Sequence, residues 1–143
     1  MKILLTVTCL LAAITIVRGM DQDALIAKYM EYLTPDLTPC AEEFHITQEQ
    51  ATNIQQANTG VDARSMGCLK ACVMKRMSIL IGTDFHLEPI YTMIEKVHAG
   101  NPEEIQSVKQ IASSCTEEIK GESDECNIGN KYTDCYIEKL FSA

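Results

Sequence analysis

The stretch "GCLKACVMKRM", residues 67–77, places Cys68 and Cys72 four residues apart in a helical pattern. Residues at this spacing share a helix face, but each side chain projects from its own backbone position. Across about 6 Å of helical rise, the two sulfurs do not meet with disulfide geometry unless the helix breaks. The pair therefore shares a metal, takes two separate partners, or packs as small apolar groups. The rest of the chain has to decide.

The opening residues "MKILLTVTCLLAAITIVRG" combine Lys2, an apolar run from Ile3 to Val17, and the small residues Val17 and Gly19. This is the layout of a secretory signal peptide, with an apolar stretch short for a membrane span. The expected organisation is a signal peptide over 1–19 and one extracellular domain over 20–143, without stable membrane insertion. Cleavage there removes Lys2, Cys9 and Arg18, leaving 124 residues, six cysteines and a formal charge of −10 in place of −8. An even cysteine count in a small secreted chain reads as a disulfide framework. The acidic balance argues against nucleic acid and against anionic membrane surfaces.

The apolar periodicity is helical nearly throughout. Leu25, Ile26, Tyr29, Met30 and Leu33 fall at helical spacing until Pro35 and Pro39, which are expected to break the run. Thr47 and Gln50 form a capping box for a second helix that stops near Gly60. A third spans about Ser65 to Ile81 and ends at Gly82. Leu87, Ile90, Tyr91, Ile94 and Val97 share one face of a fourth, which stops at Gly100. Asn101 then caps a fifth, with Pro102 at its first position and Glu103 and Glu104 in its positive first turn. The last helix begins near Cys126. No useful alternation of period two appears, so no strand is expected. The fold class is all-α: a compact bundle of about six short helices, each too short to be stable alone.

Six cysteines allow 15 pairings. The intact third helix removes those with a Cys68–Cys72 bond, and roughly 13 Å of rise on a continuous last helix keeps Cys126 from Cys135. The third helix is thus tied twice, as a central strut, while the partners stay open. Zinc favours short paired spacings such as C-x2-C, or cysteines with nearby histidines. His45, His86 and His98 are scattered. No metal and no cofactor is expected.

The full spacing, Cys40-x27-Cys68-x3-Cys72-x42-Cys115-x10-Cys126-x8-Cys135, resembles that of the insect odorant-binding proteins, the pheromone and general odorant-binding family. The likeness covers essentially the whole mature chain. It implies bridges Cys40–Cys72, Cys68–Cys126 and Cys115–Cys135, and an internal apolar cavity that carries odorants or pheromones through sensillar lymph or haemolymph. An odorant receptor is the protein partner it implies, and the carrier is expected as a monomer or weak homodimer. The resemblance places Met74, Leu80 and Tyr136 at positions that often face ligand. Met77 belongs to the apolar face of the third helix. Ile90 and Ile94 of the fourth helix, and Val108, Ile111 and Ala112 before the fourth cysteine, complete the expected wall.

Eight residues follow Cys135, too few for an added helix to fill the cavity; Leu140 and Phe141 either cover its mouth or fray. His98 lies near a helix C-terminus, where positive charge is favoured. The resemblance suggests an acid-sensitive edge at His86 and His98; the residues by themselves read as two solvated histidines.

Catalysis is not expected. There is no His-Asp dipeptide with a glycine-rich calcium loop, no G-x-S-x-G and no H-E-x-x-H. A small disulfide-rich secreted enzyme is the weaker alternative. A non-olfactory humoral carrier of hormones or lipids uses the same fold and cavity, and only its ligand or tissue separates it from an olfactory one.

Overall fold

The computed structural model describes the backbone of residues 2–52 and 60–142, and the side chains of 22–52 and 60–142. The proposed signal peptide, with Cys9, has its side chains outside the described residues, and the part of the expected second helix over 53–59 also lies outside them.

Six α-helices build the described fold: α1 (Lys2–Glu43), α2 (Gln48–Thr52), α3 (Ala63–Arg76), α4 (Glu88–Val97), α5 (Pro102–Ser114) and α6 (Glu125–Ser142). A 3-10 turn, Cys115–Ile119, links α5 to α6. The expected caps are in place. The Thr47 hydroxyl accepts from Gln50 N at 3.2 Å while the Gln50 side chain accepts from Thr47 N at 3.1 Å. Asn101 Oδ1 accepts from Glu104 N at 3.2 Å, opening α5 on Pro102.

Three local expectations need correction. Pro35 and Pro39 do not end α1, which continues to Glu43. Each proline removes a donor to the carbonyl four residues back; those carbonyls belong to Glu31 and Pro35, both exposed, where water can satisfy them. The opposite face is anchored by buried Leu37, Cys40 and Ala41.

Next, α3 stops at Arg76, five residues before Ile81. Ser78 takes a left-handed conformation (φ 62°), its N–H bonds Lys75 O at 3.1 Å, and Ile79 N–H bonds Met74 O at 2.8 Å. This is a Schellman stop with serine in the position glycine usually holds.

Finally, a small antiparallel hairpin does form, β1 (Leu80–Ile81) with β2 (Asp84–Phe85), pairing Leu80 with Phe85 and Ile81 with Asp84. Gly82, at φ 65°, occupies the first position of its two-residue turn, where a primed hairpin turn demands positive φ.

The bridges are Cys40–Cys72, Cys68–Cys126 and Cys115–Cys135, the set the resemblance implied. They tie α3 to α1 and to α6, and the 3-10 turn to α6. Against α6, α3 packs backbone to backbone. A Cβ on Gly129 would overlap the Gly67 carbonyl and lie 2.9 Å from Ala71 N; one on Gly67 would overlap the Cys126 carbonyl. Only glycine permits this approach. The other side of α3 faces the interior.

Candidate ligand-binding cavity

A cavity of about 160 Å³ lies between α1, α3, α4 and α6. Apolar cavities near 150 Å³ stay dry and accept benzene-sized guests. Leu33 and Leu37 of α1, Leu69, Val73 and Met74 of α3, and Met93 of α4 form much of its wall. Met30, Met66 and Met77 line it too. Thioether side chains are unbranched and polarisable, so a wall rich in them adapts to guests of different shape.

Of the residues expected on the wall, Met74, Met77, Ile90, Tyr136 and Phe141 are there. Leu80, Ile94, Val108 and Ala112 are buried in the core behind it, and Ile111 packs half-buried against that core. Each displacement has a structural cause. The Schellman stop changes the phase of the chain after Arg76, so Ile79 takes the wall and Leu80 turns away. On α4, Ile90 and Met93 share the cavity-facing side and Ile94 points into the core. No part of α5 reaches the cavity. The Tyr132 ring stands between, lining the cavity while its hydroxyl donates to Ala112 O at 2.8 Å. Leu140 and Phe141 line the cavity as the last turn of α6, which stays helical to Ser142.

Among the wall residues not singled out from sequence are five from α1: Ile26, Tyr29, Met30, Leu33 and Leu37. The spacing of Leu25 to Leu33 is helical in the sequence, but which face meets the cavity depends on how α1 packs, and Leu37 joins it because α1 continues past Pro35.

Two of the lining residues, Tyr29 and Tyr136, belong to a buried polar chain. The Tyr29 and Tyr136 hydroxyls lie 2.7 Å apart, and Tyr29 also meets His98 Nε2 at 2.7 Å. On its far side, His98 Nδ1 is paired with Glu104 Oε1. Glu104 Oε2 in turn accepts from Asn101 Nδ2 at 2.8 Å. His98 is therefore not the solvated side chain its position suggested: it is 4% exposed. His86 is exposed, as expected.

Burial pushes the Tyr29 phenol up to about 12, against a smaller lowering by the Tyr136 hydrogen bond. Burial, with the neighbouring Tyr29 adding to it, also drives Tyr136 far above the ordinary phenol range. Both phenols keep their protons at physiological pH. The remaining polar groups at the wall are Lys70, held by Asn130 at 3.1 Å and by Asp134 at 3.6 Å, and Thr133.

Among the described residues no group of three or more His, Cys, Asp or Glu is placed to hold a metal ion. None of the helices among them is long and apolar enough to cross a membrane. The PBP/GOBP family model matches residues 9–139, and the chain belongs to that family, whose members bind and carry small hydrophobic ligands outside the cell. The search of curated proteins returned no match.

Proposed function

We propose that this PBP/GOBP member is a secreted carrier that takes an odorant or pheromone into the cavity and moves it through aqueous lymph. The observation that carries the reading is the cavity itself: about 160 Å³ of almost wholly apolar space inside helices that three disulfides tie together. A guest burying about 300 Å² of apolar surface gains roughly 7 kcal/mol before entropic costs. That is near the micromolar range, which suits uptake and release. Met74, Met77, Ile90, Tyr136 and Phe141 are the proposed contacts, joined by Val73 and Met93. A humoral carrier of hormones or lipids would use the same wall and differ in its ligand.

The test is displacement of an apolar fluorescent probe from the oxidised chain by volatile alcohols, esters, aldehydes and terpenes. The chain has no tryptophan, so intrinsic emission interferes little. Saturable one-site binding with micromolar displacement is expected. A folded, fully disulfide-bonded sample that takes up no probe and none of the panel would overturn the carrier.

A further inference from the structure

The hydrogen-bond chain behind Tyr136 has a direction, and that direction selects a ligand class. Glu104, as a carboxylate, only accepts, so the proton between it and His98 sits on Nδ1. A neutral imidazole carries one N–H, which leaves Nε2 an acceptor. Tyr29 must then donate its single O–H to His98 Nε2, 2.7 Å away. The Tyr29 oxygen can only accept from Tyr136, also at 2.7 Å. Tyr136 thereby gives its one hydrogen to Tyr29. What remains for a guest beside these two phenols is lone pairs alone. Elsewhere on the wall, Tyr132 is committed to Ala112 O and two of the three Lys70 donors to Asn130 and Asp134. The third Lys70 N–H and the Thr133 hydroxyl retain donor capacity, so the acceptor bias belongs to the place beside Tyr136.

We infer that the Glu104–His98–Tyr29–Tyr136 relay makes the cavity an acceptor site, selecting apolar molecules that carry one hydroxyl donor over their carbonyl counterparts. The inference rests on the carrier reading and deepens it. A carbonyl placed beside Tyr136 meets a second acceptor and leaves its own oxygen buried without a donor, which is costly in an apolar site. An alcohol in the same place completes the chain. Glu104 does not line the cavity; it is a positioning residue that sets the tautomer of His98.

The experiment compares a straight-chain primary alcohol of six carbons with its aldehyde and its alkane, using probe displacement at pH 8.5. The chain itself is expected to bind the alcohol at least about tenfold more tightly than the aldehyde. Glu104→Gln supplies the decisive arm. Asn101 Nδ2 holds the amide oxygen, so the amide N–H faces His98 Nδ1 and moves the ring proton to Nε2. The relay then runs outward, Tyr136 regains a free O–H, and the alcohol preference is lost or inverted. Tyr136→Phe removes the terminal phenol and is expected to shrink the preference without inverting it. Equal binding of alcohol and aldehyde, or a preference unchanged in both variants, overturns the relay and leaves the carrier standing. Failure of all three compounds, the alkane included, to bind the folded chain overturns the carrier as well.

Discussion

The two sides of α3 solve opposite problems. Toward α6 there is no room for a single added carbon, since Gly67 and Gly129 bring the two backbones into contact beside the Cys68–Cys126 bridge. Toward the interior, Leu69, Val73 and Met74 stop short of their neighbours and leave about 160 Å³. An unfilled apolar space destabilises a fold, because the wall loses contacts and the structure can collapse only partly. The contrast shows where compensation lies: a helix held rigidly from behind need not be packed solidly in front.

Removing a bridge is the harshest way to break that arrangement. The Cys68–Cys126 link spans 58 residues, Cys40–Cys72 spans 32 and Cys115–Cys135 spans 20. On the loop-closure account, paired Cys→Ala changes at the first should cost about 4 kcal/mol, and at the last about 3 kcal/mol. Urea midpoints for the three pairs check the order. The comparison fails if the Cys68–Cys126 pair proves the mildest.

A smaller effect comes from adding one carbon to either side. Gly129→Ala forces a methyl between two backbones and should cost about 3 kcal/mol, the upper end for overpacking. Val73→Ile adds the same carbon on the cavity side. It should change stability by less than about 1 kcal/mol while weakening binding of the larger guests. Similar thermal shifts for both variants would mean that α3 is packed alike on its two sides.

The framework was legible in the sequence because its signals are local or covalent. Helix periodicity, the Thr47–Gln50 box, the Asn101-Pro102 start and the cysteine spacing each sit within a few residues or belong to a family pattern. What escaped depends on contacts across the fold. Ser78 ends α3 without the glycine that usually announces such a stop, and that one turn redirected the wall from Leu80 to Ile79. Gly67 and Gly129 looked like dispersed glycines until α3 and α6 were laid together. Tyr29 and His98, 69 residues apart, carry no mark of partnership in sequence. An exposed proline face let α1 run on, and with it Leu37 joined the cavity wall.

The gentlest probe acts at the shared start of α3 and α6. Asp124 Oδ1 accepts from Cys126 N at 2.9 Å, capping α6, while Oδ2 accepts from Arg64 Nη1 at 3.0 Å, reaching across from α3. The Arg64 hydrogen bond, followed by the backbone donors, holds the Asp124 carboxyl below the usual carboxylate range. A depressed folded-state value means the unfolded chain binds the proton first, so the contribution is complete above about pH 5 and disappears as pH falls below the ordinary value near 4. Asp124→Asn keeps a capping oxygen but no titrating charge. Its stability, followed by circular dichroism between neutral pH and pH 3, should fall less steeply in acid than that of the parent chain. Because Cys68–Cys126 lies beside this junction, the bridge should hold α3 against α6 after the carboxylate is lost, and probe binding should outlast the drop in stability. Identical acid profiles for parent and variant would show that the ion pair adds nothing to a contact the glycines and the disulfide already secure.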